Sequence, residues 1–165
     1  MQKFFKNKKG FTLIELLVVI AIIGVLSSVV ISSLAKARES SQIATNIANL
    51  KMLRDAIESY YAEYGVYPDA TGGWRGNGSC WGTSAVNWMP QLVSSGYAKL
   101  PLPQAEGWTG ACTDPMFIYT SNRTEYKILS HNDRYVTQAY TKYPSLRDPM
   151  RPHAFGFWSA GGRSF

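Results

Sequence analysis

Apolar residues fall into two regimes along the first 64 positions. From Phe11 to Leu34 they form a run of 24 residues, broken by one acid, Glu15, and dotted with Gly24, Ser27, Ser28, Ser32 and Ser33. Such a run is long enough for a helix to cross a hydrocarbon core of roughly 30 Å, and a helix satisfies its own backbone there. It contains no proline, so no kink is predicted. Further on, Ile43, Ile47, Leu50, Leu53, Ile57, Tyr60 and Tyr64 recur every three or four residues, which makes one apolar stripe on a helix. Arg38, Lys51, Arg54, Asp55 and Glu58 lie off the stripe, and Lys51–Asp55 and Arg54–Glu58 are the expected surface pairs. Gly65 and Pro68 end the pattern. The prediction is one helix from Phe11 to Tyr64, about 80 Å long. Residues 11–34 suit lipid, and residues 35–64 need a sheet to cover.

The remaining residues, 65–165, read as one small head. Its first part, 65–115, is irregular and punctuated by Gly72, Gly73, Gly76, Gly78, Gly82 and Pro90, with a short helix expected over Trp88 to Gly96. The second part, 116–165, carries the strand signals. Met116 to Thr120 and Glu125 to Ser130 flank a turn at Ser121–Thr124 and read as a hairpin; Tyr135 to Tyr140 is a third strand and Ala154 to Ser159 a fourth. A long N-terminal helix packed on a small antiparallel sheet is an α+β roll.

Charge changes the picture at the N-terminus. Residues 1–10 hold Lys3, Lys6, Lys8 and Lys9 and no acid, which keeps them cytoplasmic and sends the rest of the chain outward. A secretory signal cut after Ala35-Lys36-Ala37 fits poorly, because the apolar run is too long and holds an acid. Within lipid, Glu15 costs several kcal/mol unless it is paired or snorkels, so it is the candidate functional residue. An amine placed about one helical turn from Glu15, or facing it from a staggered neighbour, would pair with it. A buried pair of that kind gives registry more dependably than stability.

The stretch Gly10-Phe11-Thr12-Leu13-Ile14-Glu15, behind a short basic leader and ahead of a long apolar helix, resembles the processing motif of type IV prepilins and type II secretion pseudopilins. The resemblance implies cleavage between Gly10 and Phe11, N-methylation of Phe11, and assembly through Phe11 and Glu15. It implies a pilin-like roll for the head, a homo-oligomeric filament, and three outside partners: a prepilin peptidase, a membrane platform protein and an assembly ATPase. It also implies a precursor held in the cytoplasmic membrane by a single pass, and then a periplasmic or extracellular filament. Pilins usually have a proline midway along this helix, where this chain has Val30-Ile31-Ser32-Ser33.

Cys80 and Cys112 are the only cysteines, and both fall in the loop-rich part of an exported head. A disulfide is the natural reading, contributing about 3–4 kcal/mol by loop closure. No catalytic constellation, cofactor motif or metal-ligand spacing stands out, so the expectation is a structural protein with no cofactor and no metal. Trp74, Trp81, Trp88 and Trp108 suit a small core around the cysteines, or a glycan platform. Arg123, Lys127, Arg134, Lys142, Arg147, Arg151 and Arg163 outnumber Glu125, Asp133 and Asp148 between residues 123 and 163, and tyrosines interleave with them. DNA is a partner this pattern allows, beside a plain solvated surface. Two sequons, at Asn77 and Asn122, complete the candidates. The functional expectation is a pilus-like filament subunit, with a secretion pseudopilin or a membrane-tethered glycan-binding module as alternatives.

Overall fold

A computed structural model describes residues 10–77, 87–105, 109, 111 and 113–165. Helix α1 runs Leu13–Tyr64 without a break. It is followed by strand β1 (Arg75–Gly76), helix α2 (Pro90–Ser94), strands β2 (Met116–Ser121) and β3 (Tyr126–His131), helix α3 (Val136–Lys142) and strand β4 (Ala154–Trp158). Short 3-10 turns occupy Pro144–Leu146 and Gly161–Ser164. The chain forms two compact units, Met1–Ser40 and Ser41–Phe165, so the second half of α1 belongs to the head.

Within the head, α1 buries Ile43, Asn46, Ile47, Leu50, Leu53 and Ile57, which apart from Asn46 are members of the apolar stripe. It ends as the glycine signal requires: Gly65 takes φ +67°, a left-handed conformation that costs a residue without a Cβ little, and its N–H reaches Tyr61 O at 2.8 Å. The sheet is antiparallel throughout, in the order β1-β2-β3-β4. Its alternation divides the side chains cleanly. Phe117, Tyr119, Tyr126, Ile128 and Phe155 join the α1 stripe, Trp88, Met89, Leu92 and Leu102 in the main core. Met116, Ile118, Leu129 and Ala154 form a second cluster with Trp74 and Trp158. Each large side chain buried this way contributes about 1.5–3 kcal/mol.

Three expectations are corrected. Residues Tyr135–Tyr140 are not a strand; α3 occupies Val136–Lys142. Its β-branched and aromatic residues suggest a strand, but Tyr135, Ala139 and Tyr143, with Val136 and Tyr140, recur at helical spacing against the core. The Asp133 carboxylate accepts the Tyr135 N–H at 2.9 Å and turns the chain at the helix start. Second, Arg54 pairs with Asp55 at 2.8 Å and not with Glu58. Glu58 instead accepts the hydroxyls of Tyr126 at 2.8 Å and Tyr67 at 3.3 Å. Third, β1 lies in the stretch expected to be irregular, pairing Arg75 with Tyr119 and Gly76 with Ile118.

Candidate functional site

The N-terminal segment is built by one local device. Thr12 precedes the first helical residue, and its N–H and hydroxyl donate to Glu15 Oε2 at 2.8 and 2.7 Å. In return the Glu15 N–H donates to Thr12 Oγ1 at 3.3 Å. This is a reciprocal capping box, which satisfies helix-start donors with the same carboxylate that the sequence marks as costly in lipid. The Thr-x-x-Glu spacing is its signature, and a reading that offers Glu15 only an amine passes over it. Gly10 and Phe11 lie just outside the helix, and Phe11 is 79 % exposed.

Beyond Glu15 the helix presents apolar side chains on every side. Every large hydrophobic residue from Phe11 to Leu34 is exposed, even the most covered, Val19, at 43 %. The segment is long and apolar enough to cross a membrane. Ser28 and Ser32 turn their hydroxyls onto Val25 O and Val29 O, at 2.7 and 2.9 Å, and so bond to their own helix. That leaves small, satisfied positions where another helix can approach closely.

In the head, the charged residues are largely engaged internally. Lys127 is fully buried and donates to Asp148 Oδ1 at 3.0 Å, Arg163 O at 2.8 Å and Phe165 O at 2.9 Å. Burial pushes the Lys127 ammonium below its usual pKa, against the opposing pull of the Asp148 carboxylate. Arg151 reaches Asp148 at 3.4 Å and Phe165 O at 2.7 Å while lying 4.0 Å from the centre of the Trp74 ring. Arg147 covers Tyr140 and Lys142 covers Tyr143, at 4.9 and 5.5 Å. Two members of the basic set proposed for DNA therefore hold the fold together.

The remaining candidates separate. Trp88 is buried in the main core and Trp74 stacks under Arg151. Asn77 is buried, and its Oδ1 accepts the Phe117 N–H at 2.7 Å. Asn122 is exposed in the β2–β3 turn, where its Oδ1 accepts the Thr124 hydroxyl at 2.9 Å and the Glu125 N–H at 2.8 Å. Cys80, Cys112, Trp81 and Trp108 lie outside the described residues. Among the described residues no group of His, Cys, Asp or Glu is arranged to hold a metal.

The Thr-x-x-Glu box and the apolar helix behind it lie in the segment that resembles known proteins. Residues 5–31 match the family model described as the prokaryotic N-terminal methylation motif. The chain is similar to the type IV major pilin protein PilA of Myxococcus xanthus, 38% identical over 69 residues, covering 42% of this chain and 31% of that one. It is similar to the type IV major pilin protein PilE1 of Neisseria gonorrhoeae, 36% identical over 62 residues, covering 38% of this chain and 29% of that one. A third relative is the type II secretion system core protein G of Vibrio cholerae, 32% identical over 66 residues, covering 40% and 45% of the two chains. The match thus spans about a third of the length of these pilins. No solved structure matches.

Proposed function

We propose that this chain is a pilin-like structural subunit, cleaved after Gly10 and polymerised through its N-terminal helix. Four parts follow: a basic leader over residues 1–10, an assembly helix over 11–34, its amphipathic continuation over 35–64, and a head over 65–165. One observation carries the reading. Behind an N-terminal methylation motif stands a helical segment whose large apolar side chains are all exposed, an area suited to cover by lipid or by other copies of the same helix. Lipid covers it in the precursor, and bundling covers it in a filament.

Glu15 is the residue that gives such a bundle registry. Its carboxylate holds the helix start through Thr12 and presents an acceptor to the amine that cleavage creates on Phe11 of the next copy. The proposed partners are further copies of the chain, a peptidase that removes the leader, and a membrane platform with an ATPase to drive extraction. Cys80 and Cys112 are proposed to bridge and staple the loop-rich part of the head. The similarity to a secretion-system core protein supports a second reading on the same chemistry, a pseudopilin whose filament serves export.

The test joins mass spectrometry with one substitution. Sheared filaments should contain a chain that begins at a methylated Phe11, and Glu15→Ala should leave the chain in the membrane but stop assembly. A mature terminus elsewhere, or filaments of normal yield from Glu15→Ala, would overturn the reading.

A further inference from the structure

Most of the α1 stripe inside the head tolerates a slide. If the helix moved by three residues, about 4.5 Å along its axis with a turn of about 60°, Leu50, Leu53, Ala56 and Tyr60 would take the places of Ile47, Leu50, Leu53 and Ile57. Apolar surface would still meet apolar surface. A slide of four residues the same way is already blocked, because it would put Lys51 and Arg54 into the places of Ile47 and Leu50.

Asn46 is the one polar residue on the buried face of α1, 2 % exposed. Its Nδ2 donates to Asp133 Oδ2 at 2.8 Å, across 87 residues of sequence. Asp133 is itself 5 % exposed, and its carboxylate also accepts the Ser130 hydroxyl at 3.0 Å and the Tyr135 N–H at 2.9 Å. Among the described residues no lysine or arginine forms an ion pair with it. Among the described residues the donors shown on this carboxylate are neutral, and the Asn46 amide is the one that comes from α1.

We propose that Asn46 is a positioning residue, a key that admits one register of the assembly helix in the head. In the native register its amide satisfies Asp133. In the three-residue slide it would enter the apolar place of Ile43, buried without that acceptor, while Asn49 moved to Asp133. The polar part of the penalty on the slide thus rests on Asn46, beside the packing cost of Ala56 in Leu53's place and Tyr60 in Ile57's, as one buried asparagine sets register between apolar helices elsewhere. Glu58 adds a check from the exposed side, because sliding replaces it with Tyr61 and takes the acceptor from the Tyr67 and Tyr126 hydroxyls. The consequence for assembly rests on the filament reading above: subunits keyed through Glu15 stack regularly only if every head sits at the same place on its helix.

The test uses the full chain in detergent and reads two-dimensional amide spectra of α1 within the head. Asn46→Leu should fold but show a second set of peaks over residues 41–64, at roughly a tenth of the signal or more. Asn46→Leu combined with Asn49→Ala should return to one set, since the slide then offers Asp133 no amide. Should Asn46→Leu not fold, Asn46→Ala is read the same way. A single native set in the folded single variant, doubled peaks that persist in the double variant, or failure of both single variants to fold would overturn the key. Glu15→Ala keeps the two questions apart: it should retain one register and lose filaments, and filaments that persist would sink the assembly reading while the register result stands.

Discussion

Replacing Lys127 with methionine removes one cation and exposes the logic of the whole C-terminal segment. In the native head its ammonium directs all three protons to acceptors: the Asp148 carboxylate and the backbone oxygens of Arg163 and Phe165. Methionine keeps most of the aliphatic volume, so packing is nearly preserved and the loss is electrostatic. Breaking a buried pair by removing one partner costs about 3–5 kcal/mol, because the other charge stays buried. Here Asp148 keeps Arg151 at 3.4 Å and the Met150 N–H at 3.0 Å, so the lower end, about 3 kcal/mol, is expected. Two backbone oxygens lose a charged donor as well, and the Gly161–Ser164 turn should fray. Adding Asp148→Leu to Lys127→Met should recover part of the loss, because the buried carboxylate is then gone and Arg151, partly exposed, keeps the Phe165 oxygen at 2.7 Å. Urea unfolding of the full chain in detergent, followed by tryptophan fluorescence, measures both variants. A loss below about 1 kcal/mol for Lys127→Met, or no recovery in the double variant, would refute the reasoning.

Other expectations follow from the same contacts. Tyr67 is pushed up to about 12 by burial and by the Glu58 carboxylate, and Tyr126 is raised by the same two causes in the same order. A phenol raised in the folded state stabilises fully below its ordinary pKa near 10, and that contribution is lost as pH climbs toward about 12. The head should therefore weaken across that window, and Tyr67→Phe with Tyr126→Phe should flatten the loss in an unfolding series against pH. A Cβ on Gly156 would collide with the Ile128 carbonyl, and one on Gly162 with the Tyr126 carbonyl. Either glycine changed to alanine should cost about 1–3 kcal/mol by thermal unfolding, whereas Gly72→Ala, which meets open space, should not. Thr12→Ala removes the capping box, worth about 1 kcal/mol, and should speed amide exchange at the helix start about fivefold, while Thr12→Ser should not.

Much of the architecture is legible along the chain because it depends on local period. The apolar run, the stripe from Ile43 to Ile57, the glycine stop and the β2–β3 hairpin all announce themselves within a few residues of sequence, and α1 ends at Tyr64 as read. The third strand misleads for a physical reason. Tyr, Val and Thr favour a pleated surface in isolation, but at Tyr135–Tyr140 the same residues also repeat at helical spacing, and the core they meet decides the matter. Glu15 stands out from its solitude in an apolar run, yet its tie to Thr12 needs the helix start to be located before it can be seen.

What a one-dimensional reading settles here is what neighbours govern: which segment is long and apolar enough to cross a membrane, which half of the helix carries a stripe, where the N-terminal methylation motif falls. Partners far apart in the chain are another matter. That Lys127 would be buried against Asp148, or that Asn46 would answer Asp133, is written in no spacing, since each pairing depends on which face of a strand or helix turns inward once the sheet has closed over α1. A lone asparagine in a stripe and a lysine in a strand look like surface residues until packing removes the water around them. Desolvation, a property of the assembled fold, is what makes them matter.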